Sequence, residues 1–295
     1  MHHIHFAENL DVLRSLPDGS VNLIYIDPPF NTGRERRHAE LRVTPTTPDE
    51  ADRVGFGGRS YRTTRGPIRA YEDSFTDFLG FLRPRLREAH RVLAEDGSLY
   101  FHIDYREVHY CKILLDRIFG RECFLNEIIW AYDYGGRPKR KWPPKHDNIL
   151  LYVKDPGRYT FDLEAVERIP YMAPGLVTPE KAARGKLPTD TWWHTIVPTS
   201  GRERTGYPTQ KPLGILRRIV AASSKPGDLV LDFFAGSGTT GAASLEAGRR
   251  FILVDNNPEA LHVMHRRFAG RTDITWHNYV PREQGPEPSP AASVG

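Results

Sequence analysis

Apolar residues in this chain alternate between two rhythms. Residues 21–26 form a short, nearly continuous apolar run, the pattern of a strand buried on both faces. Phe78, Leu79, Leu82, Leu86, Ala89 and Leu93 then recur at helical spacing, and Asp96-Gly97 ends the period, predicting a helix over 75–93. Residues 99–103 predict the next strand, 105–119 a helix, and 124–130 and 149–153 further strands, with a short helix over 11–16. After an irregular interval the rhythm returns as helix 212–222, strand 229–234, helix 239–247, strand 251–255 and helix 258–268. Strands alternating with helices of this length predict an α/β fold built on a doubly wound, mostly parallel sheet.

Two intervals break the pattern. Residues 31–70 are rich in Arg, Gly, Thr and Pro with no clear period, which predicts a long functional or disordered loop. Residues 155–206 carry scattered Pro and aromatic residues and predict a smaller inserted region. The expected organisation is one half-domain over 1–154, the insertion over 155–206, a second half of the same domain over 207–280, and a Pro- and Ser-rich disordered tail over 281–295. There is no internal repeat.

Composition narrows the class. With 295 residues, 39% hydrophobic and 26% charged, the chain has the make-up of a soluble protein with a large core. No apolar run approaches the roughly 20 residues that span a bilayer, and the N-terminus lacks a signal peptide's features. Cys111 and Cys123 form no Cys-x-x-Cys pair, which argues against a disulfide framework or zinc site and suits a reducing cytoplasm. The histidines show no ligand spacing, so no metal is expected. The net charge is only +4, but its distribution is uneven. Arg34, Arg36, Arg37, Arg59, Arg62 and Arg65 crowd one stretch, and Arg137, Lys139, Arg140 and Lys141 another. Such clusters are the usual footprint for a phosphate backbone; a solvated basic surface is the alternative.

The first apolar run ends in Asp27-Pro28-Pro29-Phe30. Proline fixes its own backbone and extends the residue before it, so Asp27 and the Pro28 carbonyl can stand as two fixed acceptors beside the flat ring of Phe30. Two acceptors and a stacking face suit an aromatic ring bearing an amino group, as in a nucleobase. A strand followed by a Pro-rich turn would look the same.

Residues 229–240 read LVLDFFAGSGTT, a strand entering a Gly-rich turn that opens a helix. Gly236, Gly238 and Gly241 fit GxGxxG, and Asp255 ends the next strand where a ribose-binding acid is expected. An NAD-dependent oxidoreductase is therefore a rival reading. The turn lies near the C-terminus rather than opening the chain, however, and the Asp-Pro-Pro-Phe strand end has no task in hydride transfer. Ligands of open α/β sheets sit outside the carboxyl ends of the strands, so both motifs can share one cleft.

Together and in this order, the two motifs resemble the amino-group DNA methyltransferases of bacteria, in their beta-order class. The resemblance rests on Asp27 to Phe30 with Asn31-Thr32-Gly33, on Asp232, Phe234, Gly236 and Gly238, and on the segments between them: 97–104, 126–130, 146–150 and Tyr207-Pro208-Thr209-Gln210-Lys211-Pro212. It covers most of residues 5–270. It implies methyl transfer from S-adenosylmethionine to an exocyclic amine of a base flipped out of double-stranded DNA, with Asp27, Pro28, Pro29 and Phe30 as the catalytic set. The implied cofactor residues are Asn9, Asp27, Thr209, Lys211, Asp232, Phe234, Ala235, Gly236, Ser237, Gly238, Thr239, Asp255 and Asn256. Asn9 could equally be a helix cap. Trp192, Trp193 and His194 fall in the expected recognition region, or in a small core beneath it.

Members with Asp at the first motif position more often methylate adenine N6, and those with Ser cytosine N4; Phe30 replaces the commoner Tyr. The expectation is adenine N6, with cytosine N4 as the alternative. Carbon-5 methylation would need a nucleophilic Cys after a Pro, and neither Cys111 nor Cys123 follows one. A catalytically silent nucleic-acid-binding module, or methylation of RNA or of a glutamine side chain, fits less well. The resemblance further implies a cytoplasmic protein, at the nucleoid when on DNA, with a cognate restriction endonuclease and a homodimeric partner as open associations. The 31–70 stretch is expected to close over DNA.

Overall fold

The computed structural model describes residues 1–31, 34–54, 60–73, 75–198 and 201–280; over 34–45, 53–54 and 63–73, and at 48 and 61, it describes the backbone alone. The strands are β1 His2–Phe6, β2 Val21–Ile26, β3 Arg34–Pro45, β4 Arg53–Val54, β5 Ser60–Asp73, β6 Leu93–Ile103, β7 Phe124–Ala131, β8 His146–Val153, β9 Thr191–Trp193, β10 Leu229–Asp232, β11 Arg250–Asp255 and β12 Ile274–His277. The helices are α1 Asn9–Ser15, α2 Phe78–Val92, α3 Val108–Phe119, α4 Pro179–Arg184, α5 Leu213–Ala222, α6 Thr239–Glu246 and α7 Pro258–Arg267.

The main sheet runs β12-β1-β11-β10-β2-β6-β8-β7-β9. From β12 to β6 every pairing is parallel; β8 is antiparallel to both β6 and β7. Side chains alternate across the sheet as strand geometry requires. Ile24 and Ile26 of β2 face a core with α1, α2 and α3, while Leu23 and Tyr25 face one with α5 and α6. A third cluster packs α7 against Ile4, Phe251 and Leu253. This is the expected doubly wound, mostly parallel α/β architecture. One pairing positions the site: β2 lies beside β10, with Leu23 opposite Val230 and Ile24 opposite Leu231. The Asp27 and Gly-rich strand ends, about two hundred residues apart in sequence, thus open side by side at one sheet edge.

Where it is described, the expected loop over 31–70 is instead largely sheet. β3 and β5 pair antiparallel from Arg34–Asp73 to Pro45–Tyr61, and β4 adds to β5. The pairing is backbone to backbone and places no requirement on an apolar period in the sequence. The 155–206 stretch is irregular as expected, with α4 and a short turn over Pro174–Leu176, but it is not separate from the sheet. Its β9 pairs parallel with β7 and brings Trp192 into the core beside Ile215 and Ile219. β1 and β12 escaped the sequence pattern because His2, His3, His5 and His277 interrupt their apolar positions. The tail over 281–295 lies outside the described residues. Cys111 and Cys123 are buried, and burial pushes both thiols up, as befits inert side chains. Among the described residues no helix is long and apolar enough to cross a membrane.

Candidate active site

Asp27 follows β2 directly, and Pro28 behind it is buried. Lys211 donates its ammonium to Asp27 Oδ2 and stands 5.2 Å from the centre of the Phe30 ring. Asp27 Oδ1 is buried and has no hydrogen-bond partner. A carboxylate oxygen in that condition is costly unless something comes to it, and an incoming N–H is the natural guest. Asn31 holds a left-handed backbone, φ 50°. It locks the turn after Phe30 by donating to Glu107 Oε1 (2.9 Å) and accepting from the Phe75 backbone N–H (3.0 Å).

Behind Asp27 lies a buried constellation. Fully buried His102, on β6, places Nδ1 2.8 Å from the Tyr25 hydroxyl and 3.8 Å from Asp27 Oδ1. Its Nε2 is 3.3 Å from Asp147 Oδ2, and Tyr132 donates to Asp147 Oδ1 at 3.1 Å. Burial pushes the Asp147 carboxyl up, but the hydrogen bond and charge of His102, with Lys211, hold it below its ordinary value. Burial and three neighbouring carboxylates push the Tyr25 phenol well up, so it stays protonated. Segments 97–104 and 146–150 carry the resemblance, but it assigns no role to His102 or Asp147 within them; the further signal available is two polar residues in otherwise apolar strands.

The neighbouring strand end supplies the second half of the site. Gly236 and Gly238 adopt left-handed backbones, φ 49° and 73°, which glycine alone takes without strain. A Cβ on Gly236 would stand 3.0 Å from the Tyr207 ring. Asp232 accepts from the Phe234 backbone N–H (3.0 Å) and from the Thr240 hydroxyl (2.6 Å). Asp255 accepts from the backbone N–H groups of Gly236 (2.8 Å) and Asn257 (2.9 Å). Burial pushes their carboxyls up to about 7 and about 6, respectively. Each carboxylate oxygen keeps a further lone pair for a hydroxyl donor. Ala235 is buried at the turn, Ser237 and Thr239 share a hydroxyl contact of 3.0 Å, and Thr239 donates to the Lys211 carbonyl (3.2 Å). That bond ties half-buried Thr209 and its neighbour Lys211 to the Gly-rich loop.

Asn9 does not cap a helix. Its Nδ2 donates to the Phe233 carbonyl (2.9 Å), and its Oδ1 accepts from buried Arg85 (2.7 Å), which also binds Glu8. Glu8 accepts in turn from Asn256 (3.3 Å). Asn9, Asn256 and Asp255 therefore gather on the far side of the Gly-rich loop from Asp27. Arg85 was absent from the sequence expectations; a single Arg on an amphipathic helix carries no sign that it is buried.

The basic residues divide. Arg137, Lys139, Arg140 and Lys141 are exposed on the β7–β8 connection, with Lys141 Nζ 5.9 Å from the Tyr105 ring. Arg62 is exposed and lies 3.9 Å from Glu50. Arg34, Arg36, Arg37 and Arg65 belong to β3 and β5 by backbone only, and Arg59 lies outside the described residues. In the inserted region, Trp192 belongs to the core and Trp193 is exposed.

The two strand ends thus form one cleft, with a carboxylate acceptor beside an aromatic face on one side and a glycine-cradled, acid-lined turn on the other. Residues 21–266 match the model of a DNA methylase family. The chain belongs to that family. It is 31% identical to the DNA adenine methyltransferase YhdJ of Escherichia coli K12, over 88% of this chain and 80% of the relative. It is 30% identical to the type II methyltransferase M.HpaI of Haemophilus parainfluenzae, over 88% of this chain and 71% of the relative. In fold it is similar to the cytosine-N4-specific PvuII DNA methyltransferase, with a TM-score of 0.63 at 15% identity over 93% of this chain and 89% of that one. It is also similar to M1.HpyAVI in complex with its cofactor, with a TM-score of 0.58 at 19% identity over 91% and 100%. This DNA methylase is accordingly an amino-methyltransferase of DNA that draws its methyl group from S-adenosylmethionine. Membership of a DNA methylase family replaces the rival reading of a hydride-transferring enzyme. The donor set fits the cofactor: a cradle too tight for a Cβ, two strand-end acids, and an orphaned carboxylate oxygen on the neighbouring strand end.

Proposed function

We propose that the protein methylates adenine N6 in double-stranded DNA, as a member of the beta-order class, with Asp27 as the hydrogen-bond acceptor for the target amine. The observation that carries this reading is the buried, unpartnered Asp27 Oδ1 beside Phe30, on the strand that neighbours the Gly-rich turn. A base inside a duplex cannot reach a recessed carboxylate, so the target is flipped, at a cost of a few kcal/mol. Phe30 stacks on the flipped ring, an interaction worth roughly 1–3 kcal/mol in comparable settings.

An amine conjugated to a ring is a weak nucleophile. Hydrogen bonds to Asp27 Oδ1 and to the Pro28 carbonyl hold its two protons and aim the lone pair across the cleft. The catalytic contribution is positioning and electrostatics. Bound S-adenosylmethionine supplies an electrophilic sulfonium methyl. Asp232, Phe234, Ala235, Gly236, Ser237, Gly238 and Thr239 hold its middle, Asp255 its ribose, Asn9 and Asn256 its adenine, and Thr209 and Lys211 its amino-acid end. Arg34, Arg36, Arg37, Arg62 and Arg65 on the hairpin, Arg59, and Arg137, Lys139, Arg140 and Lys141 on the β7–β8 connection grip phosphates, while 155–206 reads the target sequence.

The resemblance to YhdJ, a DNA adenine methyltransferase, favours adenine, as does Asp at the first motif position. Cytosine N4 is the second reading, because its amine offers the same donors to the clamp. The type II names of other relatives support a partner restriction endonuclease in the cell. The test is to incubate the protein with labelled S-adenosylmethionine and plasmid DNA, then digest to nucleosides. Label in N6-methyladenine is expected. Label in N4-methylcytosine selects the second reading, and no label in any nucleoside ends both.

A further inference from the structure

Methylating an amine leaves a proton to dispose of. The amine nitrogen bonds to the methyl carbon as the carbon–sulfur pair departs with sulfur, and the nitrogen is left cationic. One N–H bond must then break, its electron pair returning to nitrogen. The closest acceptor is Asp27 Oδ1, recessed and held beside Lys211, and it must be cleared before another turnover.

We propose that His102 receives this proton from Asp27, as a positioning and relay residue held by Asp147. The inference rests on the methyl-transfer reading above and deepens it. The carboxylate of Asp147 can only accept, so the imidazole presents Nε2–H to it at 3.3 Å. That tautomer leaves Nδ1 with one lone pair, which accepts a hydrogen bond from the Tyr25 hydroxyl at 2.8 Å and lies 3.8 Å from Asp27 Oδ1; the Tyr25 hydroxyl turns away as Asp27 closes on Nδ1. Transfer breaks the Asp27 O–H bond, forms an Nδ1–H bond, and leaves an imidazolium between two carboxylates. Tyr132, bonded to the second oxygen of Asp147, fixes that carboxylate in place. Edge contacts from Tyr25 and Trp130, with ring centres 6.1 Å and 5.5 Å away, and a tilted contact from Phe30 at 5.8 Å hold the ring still. The imidazole thus stands between the acceptor oxygen, 3.8 Å from Nδ1, and the buried carboxylate of Asp147, 3.3 Å from Nε2.

The groups facing His102 are Tyr25 and Asp27 from β2, Asp147 from β8 and, through these, Tyr132 and Lys211. Asp232 and Asp255 also change charge in the working range, but they line the donor half of the cleft and register in cofactor affinity. The limb to follow is therefore that of kcat under saturation, which reports the loaded complex.

The experiment measures methyl incorporation into plasmid DNA between about pH 5.5 and 9 for wild type, His102→Asn and Asp147→Asn, with cofactor affinity measured by calorimetry on each. Wild-type kcat is expected to rise with pH along one ionisation limb. His102→Asn is expected to lower kcat at least about tenfold, to remove the limb, and to leave KM for DNA and the cofactor Kd within about twofold. Asp147→Asn is expected to keep a limb displaced to lower pH, because the imidazolium loses its stabilising charge. A wild-type kcat that is flat across the range overturns the relay without any variant, and so does an Asp147→Asn protein with wild-type kcat and limb. Unlabelled DNA with the wild-type protein would instead overturn the methyl-transfer reading itself.

Discussion

Lys211 holds one oxygen of Asp27 by an ion pair and leaves the other with no partner. The two residues lie 184 positions apart in sequence, so the Asp27 carboxylate is oriented by the same segment that packs on the Gly-rich turn. Replacing Lys211 by Met removes the orienting charge and leaves a largely buried carboxylate uncompensated. Methyl transfer is expected to fall about 10²-fold, with a lower thermal midpoint. In a Asp27→Asn background the same change should cost far less activity and stability; a double-mutant cycle on melting temperature and kcat checks this coupling.

Asp232 gives the ligand-free protein an inverted acid response. Burial pushes its carboxyl up to about 7, and that of Asp255 up to about 6, above the value of about 4 for an unfolded Asp. Protonation therefore favours the folded state. The contribution is complete below about pH 4 and is lost as pH rises through about 6 to 7. From these two groups, thermal stability should decline between pH 5 and pH 8, and Asp232→Asn should raise the midpoint at pH 8 more than at pH 5. Melting curves at the two pH values decide it.

These groups show what the sequence disclosed. Asp27 was legible because 21–26 is unmistakably a buried strand and two prolines follow its carboxylate. The Gly-rich end was legible because left-handed turns leave glycines in the sequence. His102, Asp147 and Tyr25 were not, since pairing across β2, β6 and β8 alone makes them neighbours, and a polar residue within a strand has no period to betray it. For Asn9 the cap and the cofactor contact could not be told apart, because caps and buried amides draw on the same residue types. The β3–β5 hairpin was missed because its order comes from backbone pairing, to which hydrophobic patterning is blind.

Gly238 combines two constraints that can be separated. Its φ is 73°, and an added Cβ would meet Met264 Cγ at 2.8 Å and Phe268 at 3.1 Å. Gly248 has a similar φ of 70° with nothing within 4 Å. Gly248→Ala should cost only backbone strain, about 1 kcal/mol, whereas Gly238→Ala should cost about 2–4 kcal/mol as α7 is pushed off the turn. Denaturant titration of both variants measures the difference, and cofactor affinity should fall only for Gly238→Ala.

Exposed cations on the β7–β8 connection should reveal themselves through salt. Replacing Arg137, Lys139, Arg140 and Lys141 together by Ala should flatten the dependence of log K for DNA on log salt by about 3 to 4 units of slope, if each meets one phosphate. Cofactor affinity should be unchanged. Fluorescence anisotropy of a labelled duplex at several salt concentrations provides the measurement.

The position of β1 has a consequence for how the molecule comes into being. Among the described residues β1 pairs only with β11 and β12, the last two described strands in sequence, and β2 likewise pairs with β10 on one side. A growing chain can assemble β6, β8 and β7 early, but its opening residues must stay unpaired until nearly all of it has emerged. Such distant pairing slows folding and leaves strand edges bare meanwhile. The two strand ends of the site can therefore meet only after β10 and β11 slot between β1 and β2, with β12 closing on the outer side of β1.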